Sequence, residues 1–316
     1  MTASGLVFLR EIPPEFPDFA HEQAEGIAAI HGAAAAEATL ASMPPPGAPL
    51  DRTGVWCLGL EKGSRITGMA AAVVIGDVAQ IDYLHLCAGW REPRYVALLL
   101  EGLLRVLGAG PRAIIHESVQ YAPLPLEEAF TGHGFTVTER LLMAAPVEQV
   151  TAGAAAGVET EAFSGAHTAA AAALLARTYN GPERRFHPHL FAEGTAQALL
   201  ERHWEETSRL GLHHLTRVAF DADGSARGLH LAQRLFPNTG HLNQLAVAPE
   251  CRNQGLGATL VQEGAAAMLE AGLETATLGV TPANPARRLY ERIGFEDLCP
   301  FWTCVCWRNP PDPAAL

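Results

Sequence analysis

Val247-Ala-Pro-Glu-Cys-Arg-Asn-Gln-Gly-Leu-Gly257 is the stretch on which the fold of this sequence turns. It lies between a strand-like stretch, His241–Val247, and a helical one running from about Leu256 to Ala271. The spacing therefore predicts a strand, a glycine turn and a helix. The first turn of such a helix offers N–H groups without intrahelical partners and the positive end of its dipole, both of which favour an anion. Gly255 and Gly257 remove the Cβ atoms that would hold a phosphate away, and Arg252 adds a cation nearby. A nucleotide P-loop is excluded, since no Lys-Ser/Thr pair follows the glycines. A dinucleotide fingerprint would need a third glycine where Thr259-Leu260 stand.

Working outward, the same order of elements is read twice. Ala166–Tyr179 and Thr195–Leu210 have helical periodicity, followed by strands His214–Asp221 and Arg227–Phe236 around an Asp223-Gly224 turn. After the loop helix come a strand at Thr275–Val280, a helix near Pro285–Ile293 and two final strands to Trp307. The first half repeats this order. His21–Leu40 reads as one helix before Pro44-Pro-Pro-Gly47, and Val55–Glu61 with Ile66–Ile75 as a hairpin. Strand Val78–Leu86, helix Tyr95–Leu107, strand Ala113–Glu117 and helix Leu124–Thr131 follow. Gly63-Ser64, Leu84, Leu86 and Arg91 match Gly224-Ser225, Leu245, Val247 and Arg252 at a constant offset of 161 residues. The chain thus reads as a duplication, with domains at 1–150 and 158–316 and the Ala/Gly-rich run Thr151–Gly157 as linker.

Composition narrows the possibilities. Hydrophobic residues make up 48% and charged residues 18%, enough apolar matter for packed cores. No apolar run is long enough to cross a bilayer, and the N-terminus lacks a signal-peptide pattern, so a cytoplasmic protein is expected. The net charge of −12 argues against nucleic acid and anionic membranes as partners and suits a cationic one. Six cysteines without CxxC spacing read as buried thiols, with Cys304 and Cys306 on one side of a strand. His187-Pro-His189 and His213-His214 lack partner ligands at metal spacing, so no metal is expected.

The second half resembles the GCN5-related N-acetyltransferase (GNAT) superfamily. Arg252-Asn253-Gln254-Gly255-Leu256-Gly257 is similar to its R/Q-x-x-G-x-G/A motif, and Asn284-Pro-Ala-Arg-Arg-Leu-Tyr-Glu-Arg-Ile-Gly-Phe295 to its N-x-x-A-x-x-L-Y-x-x-x-G-F segment. The resemblance implies an α+β fold: two tandem GNAT folds, each a mixed, mostly antiparallel sheet flanked by helices. It implies acetyl-CoA as donor, with Arg252 through Gly257 on its pyrophosphate, and acetyl transfer directly to an amine of a small molecule or peptide. It also implies that the Leu245 N–H polarises the acyl carbonyl, Val247 pairs with the pantetheine arm, Asn284 bonds the cofactor and Tyr290 protonates the departing thiolate. Arg287 and Arg288 are read either as phosphate contacts or as solvated helix charges.

His241 stands where family members carry a general base, in a segment similar to that of arylalkylamine N-acetyltransferases. A histidine at a strand entrance can equally serve the Asn238–Gly240 turn, and the sequence leaves both readings open. Asn180–Leu190 is read as a lid over the acceptor pocket. The first half departs from the motif: Arg94 and Val96 replace the glycines, Pro93 removes a donor, Glu92 adds a negative charge and Phe130 replaces the tyrosine. It is expected to be non-catalytic. Two other functions remain open: an acyl-CoA sensor or scaffold without turnover, and a transferase using a longer acyl-CoA.

Overall fold

The computed structural model describes residues 4–50, 55–119, 121–151, 160–179, 186–190 and 193–308. The linker residues 152–157 lie outside them. The chain forms two compact units, and they do not follow the cut near 150–157. Unit 1 is Met1–Glu139 with Phe301–Ala315, and unit 2 is Arg140–Pro300.

In unit 1, strands β1 (Ser4–Phe8), β2 (Val55–Lys62), β3 (Arg65–Ile75) and β4 (Val78–Leu86) are neighbours in that order. They pair antiparallel. β5 (Ala113–Ser118) joins β4 in parallel. Helices α1 (Phe16–His31) and α2 (Ala33–Ser42) precede the hairpin. They replace the single helix read over His21–Leu40, because Gly32 takes φ +86° and breaks the run. α3 (Pro93–Leu107) buries Val96, Leu99, Leu100, Leu103 and Leu107 at helical spacing against the sheet, and α4 (Leu126–Gly132) adds Phe130 to the same core.

Unit 2 repeats the plan. β7 (Glu161–Ala162), β8 (Arg217–Phe220), β9 (Ala226–Phe236) and β10 (Thr239–Val247) are antiparallel, and β11 (Thr275–Val280) joins β10 in parallel. α6 (Thr168–Thr178) and α7 (Glu193–Arg209) precede the hairpin. α8 (Leu256–Glu270) follows the glycine loop, and α9 (Arg287–Arg292) follows β11. Each unit is therefore a mixed, mostly antiparallel sheet flanked by helices.

The last strand of each repeat completes the other unit. β6 (Thr136–Pro146) leaves the first repeat and pairs antiparallel with β11, from Leu141↔Val280 to Pro146↔Thr275, and α5 (Val147–Thr151) follows it. β12 (Glu296–Trp307) returns to unit 1 and pairs Trp302↔Ser118 through Trp307↔Ala113. It is one strand, where the sequence reading had two. Leu141 and Trp302 are 161 residues apart, so the two strands hold equivalent registers in exchanged sheets. Side chains fit the exchange. Thr303 Oγ1 donates to Glu117 in unit 1 at 3.1 Å, whereas in unit 2 Arg140 donates to the Gly279 carbonyl at 3.1 Å. A continuous local sequence cannot reveal which sheet a strand will join, which is why the repeat boundary and the unit boundary differ. All six cysteines are free thiols; Cys304 is buried in the unit 1 core and Cys306 packs against the same cluster.

Candidate active site

In unit 2 the parallel pair β10–β11 holds from Thr239↔Thr275 to Leu242↔Leu278 and then stops, although β10 continues to Val247. The ladder to β9 skips Asn243, a bulge that bends β10 at the point where pairing with β11 ends. Unit 1 has the same device: β4–β5 pairing ends at Gln80↔Ile115, and Asp82, 161 residues before Asn243, is skipped in the ladder to β3. Ala248 N–H donates to Arg227 on the β9 side. By strand alternation, the backbone groups of Leu245 and Val247 then face the widening gap between β10 and β11. Two side chains on their carbonyls agree with this: Arg252 Nε donates to Val247 O at 3.2 Å, and the Tyr179 hydroxyl lies 3.4 Å from Leu245 O.

The glycine loop closes the end of this gap. Asn253 (φ 59°) and Gly255 (φ 87°) are both left-handed, and Gly255 caps α8. The first helical bond is Thr259 N–H to Gly255 O. Among the described residues, no N–H from Asn253 to Ala258 donates to a backbone carbonyl. Arg252, Asn253, Gln254 and Gly255 are exposed, and Gln254 is tied to Glu250 O at 2.9 Å. A Cβ on Gly257 would meet Leu289, Val247 and Leu245 at 3.5 to 3.8 Å, filling a cradle that the protein itself leaves open. Unclaimed N–H groups at a helix N-terminus above such a cradle fit a pyrophosphate-bearing ligand.

His241 stands on β10 one residue before its pairing with β11 ends, and Tyr290 belongs to a core cluster with residues of the same two strands. His241, half-buried on β10, bonds Thr277 Oγ1 on β11 through Nδ1 at 2.9 Å. The Thr277 hydroxyl donates its one proton to Gly240 O at 3.1 Å. It must therefore accept from Nδ1–H, which leaves Nε2 as the basic nitrogen. Thr277 is fully buried and was invisible in the sequence, because its contact depends on the parallel register. Tyr290 is 6% exposed in a cluster with Leu242, Leu278, Val280 and Phe295, against which Leu245 also packs. Burial raises its phenol above the ordinary range, and the Arg140 charge opposes that rise.

Other expected residues have local duties. Asn284 Oδ1 accepts from Ala286 N–H at 2.9 Å, a local capping bond. Arg287 is paired with Glu291 and Asp297, each at 2.9 Å, as a helix charge would be. Of the lid stretch, residues 180–185 lie outside the described residues. Its flanks, Tyr179 and His187, pack ring to ring, and the Tyr179 hydroxyl donates to Gln244 at 2.8 Å. Among the described residues no group of three or more His, Cys, Asp or Glu could hold a metal, and no helix is long and apolar enough to cross a membrane.

Residues 178–295 match the family described as Acetyltransferase (GNAT). This part of the chain is a GNAT domain. A comparison with curated proteins finds no match. Among solved structures, a GCN5-related N-acetyltransferase from Sphaerobacter thermophilus superposes with TM-score 0.65 at 17% identity, over 96% of both chains. A tandem GNAT protein from the clavulanic acid biosynthesis pathway gives TM-score 0.56 at 15% identity, over 98% of this chain and all of that one. A glucosamine N-acetyltransferase region of a fungal multi-domain GH3 β-N-acetylglucosaminidase gives 0.63 at 13%, over 96% of this chain and 38% of that one. These likenesses extend the GNAT fold to both repeats.

The GNAT loop is preserved in only one of them. Arg91 Nε donates to Leu86 O at 3.0 Å, the same clamp that Arg252 makes on Val247. Beyond the clamp the two loops diverge. α3 begins at Pro93, the counterpart of Gln254, so helix occupies the position of the left-handed Gly255, while Glu92, the counterpart of the left-handed Asn253, is extended. The Trp90 and Tyr95 rings pack at a tilt, centroids 4.7 Å apart, with Lys62 over Trp90 and Arg94 over Tyr95, and Glu22 receives the Arg91 guanidinium and, at 3.3 Å, the Ala88 N–H. A carboxylate of the chain itself thus stands at the head of the unit 1 loop.

Proposed function

We propose that this protein is an acetyl-CoA-dependent N-acetyltransferase whose second repeat holds the donor and carries the chemistry, acting on an amine of a small molecule or peptide. The observation that carries the reading is the loop Asn253–Ala258, with unclaimed N–H groups and an open cradle at Gly257, at the mouth of the β10–β11 gap. There the N–H groups of the loop and of the first turn of α8 hold the pyrophosphate. Val247 pairs its backbone with the pantetheine arm, and the Leu245 N–H stabilises the charge that develops on the acyl oxygen. His241 takes the proton from the ammonium form of the acceptor through Nε2, with Thr277 fixing the tautomer. Tyr290, kept as a neutral phenol by burial, gives its proton to the leaving sulfur. The first repeat is non-catalytic.

Thiol release from acetyl-CoA, measured against a panel of amines, aminoglycosides and peptides, tests the reading. Tyr290→Phe should lower turnover with little change in CoA affinity, and Gly255→Glu should abolish CoA binding. A folded Gly255→Glu protein that binds CoA normally would remove the loop assignment.

A further inference from the structure

We infer that the side-chain oxygen of Gln244 and the backbone oxygen of Leu245 form a cradle for the ammonium group of a primary amine, with Tyr179 as the positioning residue that holds it. The inference rests on the proposed acetyltransferase reading and narrows its acceptor to primary amines. Gln244 is 9% exposed, an unusual place for a carboxamide. Its Oε1 accepts from the Tyr179 hydroxyl at 2.8 Å, and the same hydroxyl lies 3.4 Å from Leu245 O. Tyr179 caps the C-terminal end of α6, and its ring meets that of His187 edge to face, centroids 5.2 Å apart. The hydroxyl has one proton, and at 2.8 Å Gln244 takes it, so Leu245 O is left without a full donor. Gln244 Oε1 keeps a second lone pair. Among the described residues no other hydrogen bond reaches either oxygen. Two neutral oxygens in want of donors thus stand around one hydroxyl, where β10 has lost its β11 partner.

Place and chemistry both suit an ammonium. In a strand the N–H and C=O of one residue point to the same edge, so Leu245 O opens on the gap beside the N–H proposed for the acyl oxygen. An amine nitrogen held on Leu245 O would therefore lie next to the acyl carbon. A primary ammonium carries three N–H bonds. Two can make charge-assisted bonds to the cradle, and the third is the proton that His241 must remove before nitrogen can attack. Once that proton is gone, the neutral amine still has two N–H groups for the two oxygens. A carboxylate in the same place would stabilise the charged form and oppose the proton loss, whereas uncharged oxygens hold both forms. A secondary amine has one N–H too few. The first repeat lacks the cradle. Tyr83 stands at the position equivalent to Gln244, packs its ring against Phe16, and has no partner for its buried hydroxyl among the described residues.

The test titrates the full-length protein, saturated with CoA, with benzylamine and with N-methylbenzylamine in a calorimeter. Benzylamine should bind about tenfold more tightly, the worth of one charge-assisted hydrogen bond. Gln244→Met, which removes the side-chain oxygen, should bring the two affinities to within about twofold of each other. Tyr179→Phe keeps the ring on His187 but releases the carboxamide, and should lose most of the preference as well. Gln244→Glu retains an oxygen and should keep it. CoA affinity should be unchanged in all three variants, which also reports that they fold. Equal affinity of the native protein for the two amines, binding of neither, or an undiminished preference in a Gln244→Met protein that still binds CoA overturns the inference. Thiol release from acetyl-CoA that is as fast with secondary as with primary amines overturns it too, while leaving the acetyltransferase reading intact. Selective binding of the primary amine with no thiol release from any amine would overturn that reading instead and leave the cradle standing.

Discussion

Cutting the chain at the sequence repeat, so that residues 158–316 are produced alone, should leave a protein that does not fold cooperatively. The fragment lacks β6 and α5, so β11 loses its antiparallel partner along Thr275–Val280. Leu142, Met143, Val147 and Val150, each at most 2% exposed, vanish from the core. Each such side chain contributes about 1.5–3 kcal/mol of burial, so the loss is roughly 6–12 kcal/mol. Domain stabilities are of order 5–15 kcal/mol, so little or nothing remains. The fragment does contain β12, whose register matches that of β6, and this strand could fold back onto β11. It would fill the place poorly. Thr303 would stand for Leu142, Cys304 for Met143 and Arg308 for Val147, and the Thr303 hydroxyl would exchange Glu117 for the counterpart position Gly279. A second fragment, residues 136–300, keeps β6 and α5 and should unfold cooperatively in urea with CoA-dependent stabilisation. The assay is urea denaturation followed by far-ultraviolet circular dichroism for both fragments and the full chain. A cooperative transition of 158–316 at the midpoint of the full chain would refute the exchange argument.

Gly257→Val should fill the cradle between Leu245, Val247 and Leu289 and weaken CoA binding at least tenfold by calorimetry, with a nearly unchanged Tm, since the side chain meets no backbone. His203 and His230 are buried and each held near pKa 4, well below the ordinary value, by loss of solvation. The unfolded chain therefore binds protons first as pH falls below about 6.5, and stability should drop by about 2 kcal/mol per histidine between pH 7 and 5. Urea titrations at the two pH values check this, and a variant carrying His203→Asn should lose less on acidification. Thr277→Val removes the hydroxyl that orients His241 and should lower kcat about tenfold at constant KM for acetyl-CoA, as steady-state thiol release would show. Arg91→Met should lower Tm by breaking the clamp on Leu86 while leaving CoA affinity unchanged, whereas Arg252→Met should affect both.

Periodicity and turn chemistry made most elements of both sheets legible, and Thr275–Val280 was bounded to the residue. These signals are local, and so are the glycine loop and the strand before it. What escaped was what depends on pairing. Leu141–Pro146 is an apolar run that could lie on either sheet, and only its partner, β11, decides. The Thr277 contact to His241 exists because β10 and β11 run parallel in one register. The bond from Arg140 to the Gly279 carbonyl could not be read from sequence either, because the two belong to different repeats. Gly32 was absorbed into an apolar helical pattern, since an isolated glycine does not announce a positive φ.

The repeats also separate two duties that the loop motif combines. Arg91 and Arg252 make the same bond to the end of the preceding strand, although only the second loop keeps its glycines. If the arginine served the ligand alone, the loop that lost its glycines would have no use for it. Its persistence in unit 1, with Glu22 as an internal counter-ion, is what a backbone clamp predicts. The glycines behave in the opposite way. Gly255 supplies a left-handed turn and Gly257 an open cradle, neither of which a packed helix start needs, and unit 1 begins its helix at Pro93 without them. On the proposed reading, the arginine therefore serves the scaffold as well as the ligand, and the glycines the ligand alone. The same division would let the first repeat lack a binding loop and still matter to unit 2, whose β11 pairs with the last strand of that repeat.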